Sequence, residues 1–122
     1  ERKLTDLILI GGNYRSITGA FVGTLTLQNL ANLQFSKAFV SCNGIQDNAI
    51  ATFSEEEGES QRIALNNSNK KYLLADNSKF NKFDFYTFYN ISDIDTIVSD
   101  SKLSKETFEQ LSKQTKIILS KP

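Results

Sequence analysis

A chain of 122 residues supports one domain with a modest core, since at this length most of the apolar surface is buried on folding. Its 14 basic residues balance 14 acidic ones, so the basic footprint of a nucleic-acid module is absent and direct DNA contact by this segment is not expected. With no histidine and one cysteine it lacks imidazole metal sites, histidine-based triads, thiolate clusters and an internal disulfide, and no run approaches the roughly 18–20 apolar residues of a membrane span.

The opening Glu1-Arg2-Lys3-Leu4 has no signal-peptide pattern and reads as the start of an excised piece. Asp6-Leu-Ile-Leu-Ile10 is a continuous apolar run stopped by Gly11-Gly12, which predicts a strand buried on both faces, as in a parallel sheet. From Ala20 to Leu33, Val22, Leu25, Leu30 and Leu33 recur at helical spacing, although Phe21, Gly23, Leu25 and Leu27 also alternate. Lys37 to Ser41 predicts a second strand, closed by the turn pair Asn43-Gly44. Ser54-Glu55-Glu56-Glu57 has the form of a capping box, with three carboxylates suited to the helix dipole, and opens a helix to about Asn67. Lys71 to Ala75 predicts a third strand ending in the turn Asp76-Asn77-Ser78-Lys79. Phe83 to Tyr89 is aromatic-rich and strand-like. Asp95 to Ser99 predicts a strand, followed by a helix capped near Ser104 with Phe108 and Leu111 inward, then a last strand from Lys116 to Leu119. Strands alternating with helices imply an α/β domain with a mostly parallel sheet and helices on both faces. The sequence shows no internal repeat, low-complexity tract or linker.

In open α/β sheets ligands bind beyond the carboxyl ends of the strands. Three loops occupy that position: Gly11 to Arg15, Cys42 to Ile45, and Asp76 to Lys79. They offer two cations, Arg15 and Lys79, the amide of Asn43 and the carboxylate of Asp76, with Gly12 and Gly44 beside them as candidate ligand-binding positions. Arginine grips two phosphate oxygens at once, whereas lysine acts as a point charge. Each feature also has a plain structural reading. Gly11-Gly12 and Asn43-Gly44 serve as turns, and Asp76-x-Ser78 as a self-bonded turn that leaves Lys79 in solvent. Glu57 is explained by capping before ligand contact. Phe83, Phe85, Tyr86, Phe88 and Tyr89 suit core or subunit contact better than a stacking platform.

Together these pieces resemble a known family. Gly11-Gly12-Asn13-Tyr14-Arg15, then Thr18 and Phe21-Val22-Gly23, is similar to a stretch of the DeoR-family sensor domain. Phe35 to Ile45 resembles that family's next strand and turn. Glu57 with Tyr72-Leu-Leu-Ala-Asp-Asn-Ser-Lys-Phe80 and Ile97-Val-Ser-Asp100 resemble its later blocks in the same order. The wording of Phe35–Ile45 and Ala64–Lys79 is similar to the branch governing lactose and galactose use. The resemblance implies a fold shared with ribose-5-phosphate isomerase and CoA transferases. It further implies a phosphorylated sugar as effector, galactose 6-phosphate or tagatose 6-phosphate in that branch, and no cofactor or metal. Operator DNA would be bound only through a winged helix-turn-helix outside residues 1–122, in a cytoplasmic homo-oligomer without membrane contact. The family's glycine/threonine phosphate loop is not matched either, so the sensor domain is expected to be incomplete.

Two other readings stay open at this point. A phosphosugar isomerase moves a proton beside a carbonyl and needs a positioned acid or base. In the isomerases this fold resembles, the turn corresponding to Asn43 carries acid; asparagine takes no proton usefully at neutral pH, which leaves Asp47, Glu57 and Asp76. The third reading is a dimerisation module without a ligand.

Overall fold

In chain order the elements are β1 (Leu7–Ile10), β2 (Phe35–Ser41), β3 (Gly44–Gln46), β4 (Ala49–Thr52), α1 (Glu55–Asn66), β5 (Ser68–Leu74), β6 (Tyr86–Asn90), β7 (Thr96–Asp100), α2 (Lys105–Leu111) and β8 (Lys116–Ser120), with short 3₁₀ turns at Asn77–Lys79 and Ile91–Asp93. The computed structural model describes the backbone of residues 7–10 and all of residues 34–120. The Gly11-Gly12 turn, Arg15 and the helix expected over Ala20–Leu33 lie outside the described residues.

The apolar runs form one parallel sheet of five strands in the order β1-β2-β5-β7-β8. Each strand is added on the same side as the chain proceeds. Register aligns Val40 with Leu73 and Leu73 with Ile97, and all three are fully buried. Leu65 from α1 and Leu111 from α2 close onto that same row. A buried side chain of this size contributes about 1.5–3 kcal/mol by leaving water. The opposite face carries Phe39 stacked on its register partner Tyr72, ring centroids 4.6 Å apart, both half-buried.

A second sheet of three antiparallel strands, β3-β4-β6, sits against α1 and adds Ile45, Ile50 and Phe88 to the core. This sheet changes two expectations. Asn43-Gly44 does not close a turn, because Gly44 is already the first residue of β3. The reversal comes at Asp47-Asn48, where Asp47 has the left-handed φ of 56° that aspartate tolerates. The aromatic stretch is also divided: only Tyr86 onward is strand, Phe88 is buried, and Phe83 and Phe85 stand in the preceding loop, 81% and 77% exposed.

Both helix starts follow the sequence. Ser54 Oγ accepts from Glu57 N at 3.1 Å, and Ser104 Oγ accepts from Thr107 N at 3.1 Å. The second half of the capping box takes a different form, since the Glu57 carboxylate turns inward to Thr52.

Candidate functional site

The register that aligns Ser41 with Leu74 and Leu74 with Val98 brings the carboxyl ends of β2, β5 and β7 side by side. Asn43, Asp76 and Asp100 therefore emerge at one end of the sheet, where ligands of open α/β folds sit. One of these groups, Asp100, ties the ends of β5 and β7 together. Asp100 accepts from Asn77 N at 3.0 Å, Asn77 Nδ2 at 3.1 Å and Lys102 N at 2.9 Å. These donors, the Asn77 amide first among them, hold its carboxyl below the usual carboxylate range. Asp76 accepts from Ser78 Oγ and, at 2.8 Å, from Ser78 N, which likewise lowers its pKa. The self-bonded turn expected at Asp76 thus forms, and one carboxylate oxygen is committed to it.

Asn43 is held differently. Its backbone N donates to Ala51 O at 2.9 Å, tying the end of β2 to β4. Its Oδ1 lies 3.0 Å from Thr52 Oγ1, and Thr52 Oγ1 lies 3.2 Å from Glu57 Oε1. Thr52 is 1% and Glu57 4% exposed, so Asn43, half-buried, is the member of this chain that reaches solvent.

Lys79, half-buried, ends the 3₁₀ turn after β5. Its ammonium is near enough to Cys42 to favour the thiolate, as does the Gly44 amide. Burial outweighs both and pushes the thiol up to about 12. Cys42 is a free, buried core thiol. Gly44 has a packing role of its own: a Cβ there would lie 2.7 Å from Lys82 O, with Lys82 C and Phe83 C at 3.2 Å. The backbone of residues 82–83 passes directly over it, and Lys82 N donates to Ile45 O at 3.0 Å.

Of the six residues singled out in the sequence, the structure gathers Asn43, Gly44, Asp76 and Lys79 at the strand ends, while Gly12 and Arg15 lie outside the described residues. Sequence reasoning passed over Thr52, Asn77 and the bonding role of Asp100. Thr52 left one signal, as the polar residue closing the apolar stretch Ala49-Ile-Ala-Thr-Phe53. Among the described residues no group of three or more histidine, cysteine, aspartate or glutamate side chains could hold a metal ion. Among the same residues no helix is long and apolar enough to cross a membrane.

Residues 1–101 match the family described as the DeoR C terminal sensor domain. The chain belongs to that family. Among curated proteins this sensor domain is 48% identical over 118 residues to the lactose phosphotransferase system repressor of Lactococcus lactis subsp. lactis, covering 97% of this chain and 46% of the relative. It is 41% identical over 110 residues to the repressor of the same name from Streptococcus mutans, covering 90% and 43%. A third, from Staphylococcus epidermidis, is 45% identical over 93 residues, covering 76% and 37%. The chain thus spans less than half the length of these relatives. The DeoR sensor domain is regulatory rather than catalytic, and the relatives are named as repressors, so this domain is not assigned an enzymatic activity.

Proposed function

We propose that this DeoR sensor domain is the effector-sensing part of a sugar-responsive transcriptional repressor, and that its effector is a phosphorylated sugar bound over the ends of β2, β5 and β7. The observation that carries this reading is the convergence of Asn43, Asp76 and Lys79 at those strand ends in a domain of a sensor family. Lys79, together with Arg15, supplies positive charge to the phosphate. Asn43 and the second carboxylate oxygen of Asp76 take the hydroxyls, and Gly44 continues the chain from Asn43 into β3. The relatives' names direct attention to lactose use, and galactose 6-phosphate and tagatose 6-phosphate are the candidates we propose to test first.

Operator DNA would be held by a domain outside this chain, in the cytoplasm, by a homo-oligomer. The effector releases the operator only if it binds the DNA-free conformation more tightly; a tenfold loss of operator affinity corresponds to about 1.4 kcal/mol of coupling. The test is retention of operator DNA by the protein carrying this domain, titrated with galactose 6-phosphate, tagatose 6-phosphate, fructose 6-phosphate and the unphosphorylated sugars. Release by one phosphorylated sugar and by none of the free sugars supports the reading. Indifference to all of them refutes it.

A further inference from the structure

We infer that Glu57 is a positioning residue that fixes which end of the Asn43 amide faces the ligand, and so sets the hydroxyl specificity of the site. The inference rests on the site proposed above. Its starting point is a hydrogen-bond count that does not close as drawn. Thr52 Oγ1 lies 3.0 Å from Asn43 Oδ1 and 3.2 Å from Glu57 Oε1, yet a hydroxyl has one proton and cannot donate fully to both. With Glu57 as a carboxylate, which only accepts, the Thr52 proton goes to Glu57. The hydroxyl oxygen then needs a donor. Asn43 supplies one when its amide is turned over, which exchanges two atoms that differ little in size and leaves the side chain where it is.

The chain thereby acquires a direction: Asn43 Nδ2 donates to Thr52, and Thr52 donates to Glu57. Thr52 and Glu57 are 1% and 4% exposed, so the chain is shielded from water, and a reversed hydrogen bond would leave a buried group unsatisfied. Of the three, Asn43 alone reaches solvent, and its carbonyl end, Oδ1, is the end left unengaged, an acceptor beside the second Nδ2 proton. The site at this position therefore favours a hydroxyl that donates over a group that can only accept. Glu57 acts through Thr52 and touches no ligand.

Two measurements test the relay separately from the proposed effector. The first is amide NMR of the isotope-labelled chain. The two Nδ2 protons of Asn43 should differ strongly in shift, the bonded one downfield and slow to exchange. Thr52→Val should collapse that difference, whereas Thr52→Ser, which keeps the hydroxyl, should preserve it. Should Thr52→Val fail to fold, Glu57→Gln serves in its place, because glutamine both donates and accepts and no longer imposes a direction. Asn43 amide signals unchanged in a folded Thr52→Val or Glu57→Gln protein would overturn the relay.

The second is the affinity for galactose 6-phosphate and analogues in which single hydroxyls are replaced by hydrogen or by fluorine. At one position fluorine should be as poor as hydrogen, each costing about 10-fold or more, because both remove the donor. Glu57→Gln should narrow that penalty to about 3-fold while leaving phosphate dependence intact. Fluorine tolerated at every position by the wild-type protein would show that Asn43 presents its NH₂ group, and the inference would fall. If none of these sugars binds, the proposed effector is wrong, and the Asn43 amide signals alone decide whether the relay exists.

Discussion

Replacing Gly44 by alanine separates a packing role from a ligand role at the centre of the site. Gly44 lies in β3 without a left-handed φ, so alanine is conformationally allowed there. Losing glycine's backbone freedom in the unfolded chain favours the variant by about 0.4–1 kcal/mol. The new methyl, however, would sit 2.7 Å from Lys82 O and 3.2 Å from two backbone carbons. Backbone atoms cannot rotate away as a side-chain tip can, and overpacking of this kind costs about 1–3 kcal/mol. Moving residues 82–83 outward also weakens the 3.0 Å bond from Lys82 N to Ile45 O, worth about 0.5–1.5 kcal/mol. Clash and lost bond outweigh the entropic gain, and Gly44→Ala should destabilise by about 2 kcal/mol. At about 2.1 cal/mol/K of unfolding entropy per residue, a chain of 122 residues should then melt about 8 °C lower. Thermal unfolding followed by circular dichroism measures this directly. A melting temperature within about 2 °C of wild type would refute the close approach of residues 82–83; undiminished stability with lost effector response would make Gly44 a ligand contact.

The remaining predictions concern the residues around it. Lys79→Ala should change stability by less than about 0.5 kcal/mol, since a half-exposed lysine contributes little to folding, while weakening effector response; a normal response would make Lys79 a surface charge only. Ser54→Ala should cost about 0.5–2 kcal/mol, because it removes the acceptor for Glu57 N, and should add with Glu57→Gln to within about 0.5 kcal/mol, since glutamine keeps that backbone bond; a strong coupling in chemical denaturation would place the Glu57 carboxylate back on the cap. Cys42, raised by burial from 9.0 to about 12, should resist thiol reagents at pH 8 until the chain unfolds, and labelling at the rate of a free thiol would contradict its burial. Because the folded pKa is the higher one, this thiol's contribution to stability is complete below pH 9 and is lost as the pH climbs from 9 toward about 12.

By itself the sequence determined the parallel sheet and both helix starts. The apolar run Tyr72-Leu-Leu-Ala75 marks a sheet strand, with Leu73 buried on one face and Tyr72 and Leu74 half-buried on the other, and Ser54 and Ser104 each place a side-chain oxygen where the first free amides need one. It also placed Asp76 and Lys79 at a strand end, because the turn chemistry of Asp76-x-Ser78 is local. Tertiary structure decided the rest. The short hairpin of β3 and β4 was hidden because its three and four residues carry too little periodicity to register, and Asn43-Gly44 mimics a turn. Whether Phe88 or Phe85 was buried depended on where α1 and β6 meet, which no local pattern states. The same holds for Glu57. Its position in the first turn predicted a cap, but Thr52 arrives from β4 to take the carboxylate inward, and a hydrogen bond between different elements is set by how they pack. The chain from Asn43 through Thr52 to Glu57 exists only because β2 and β4 end, and α1 begins, at one place.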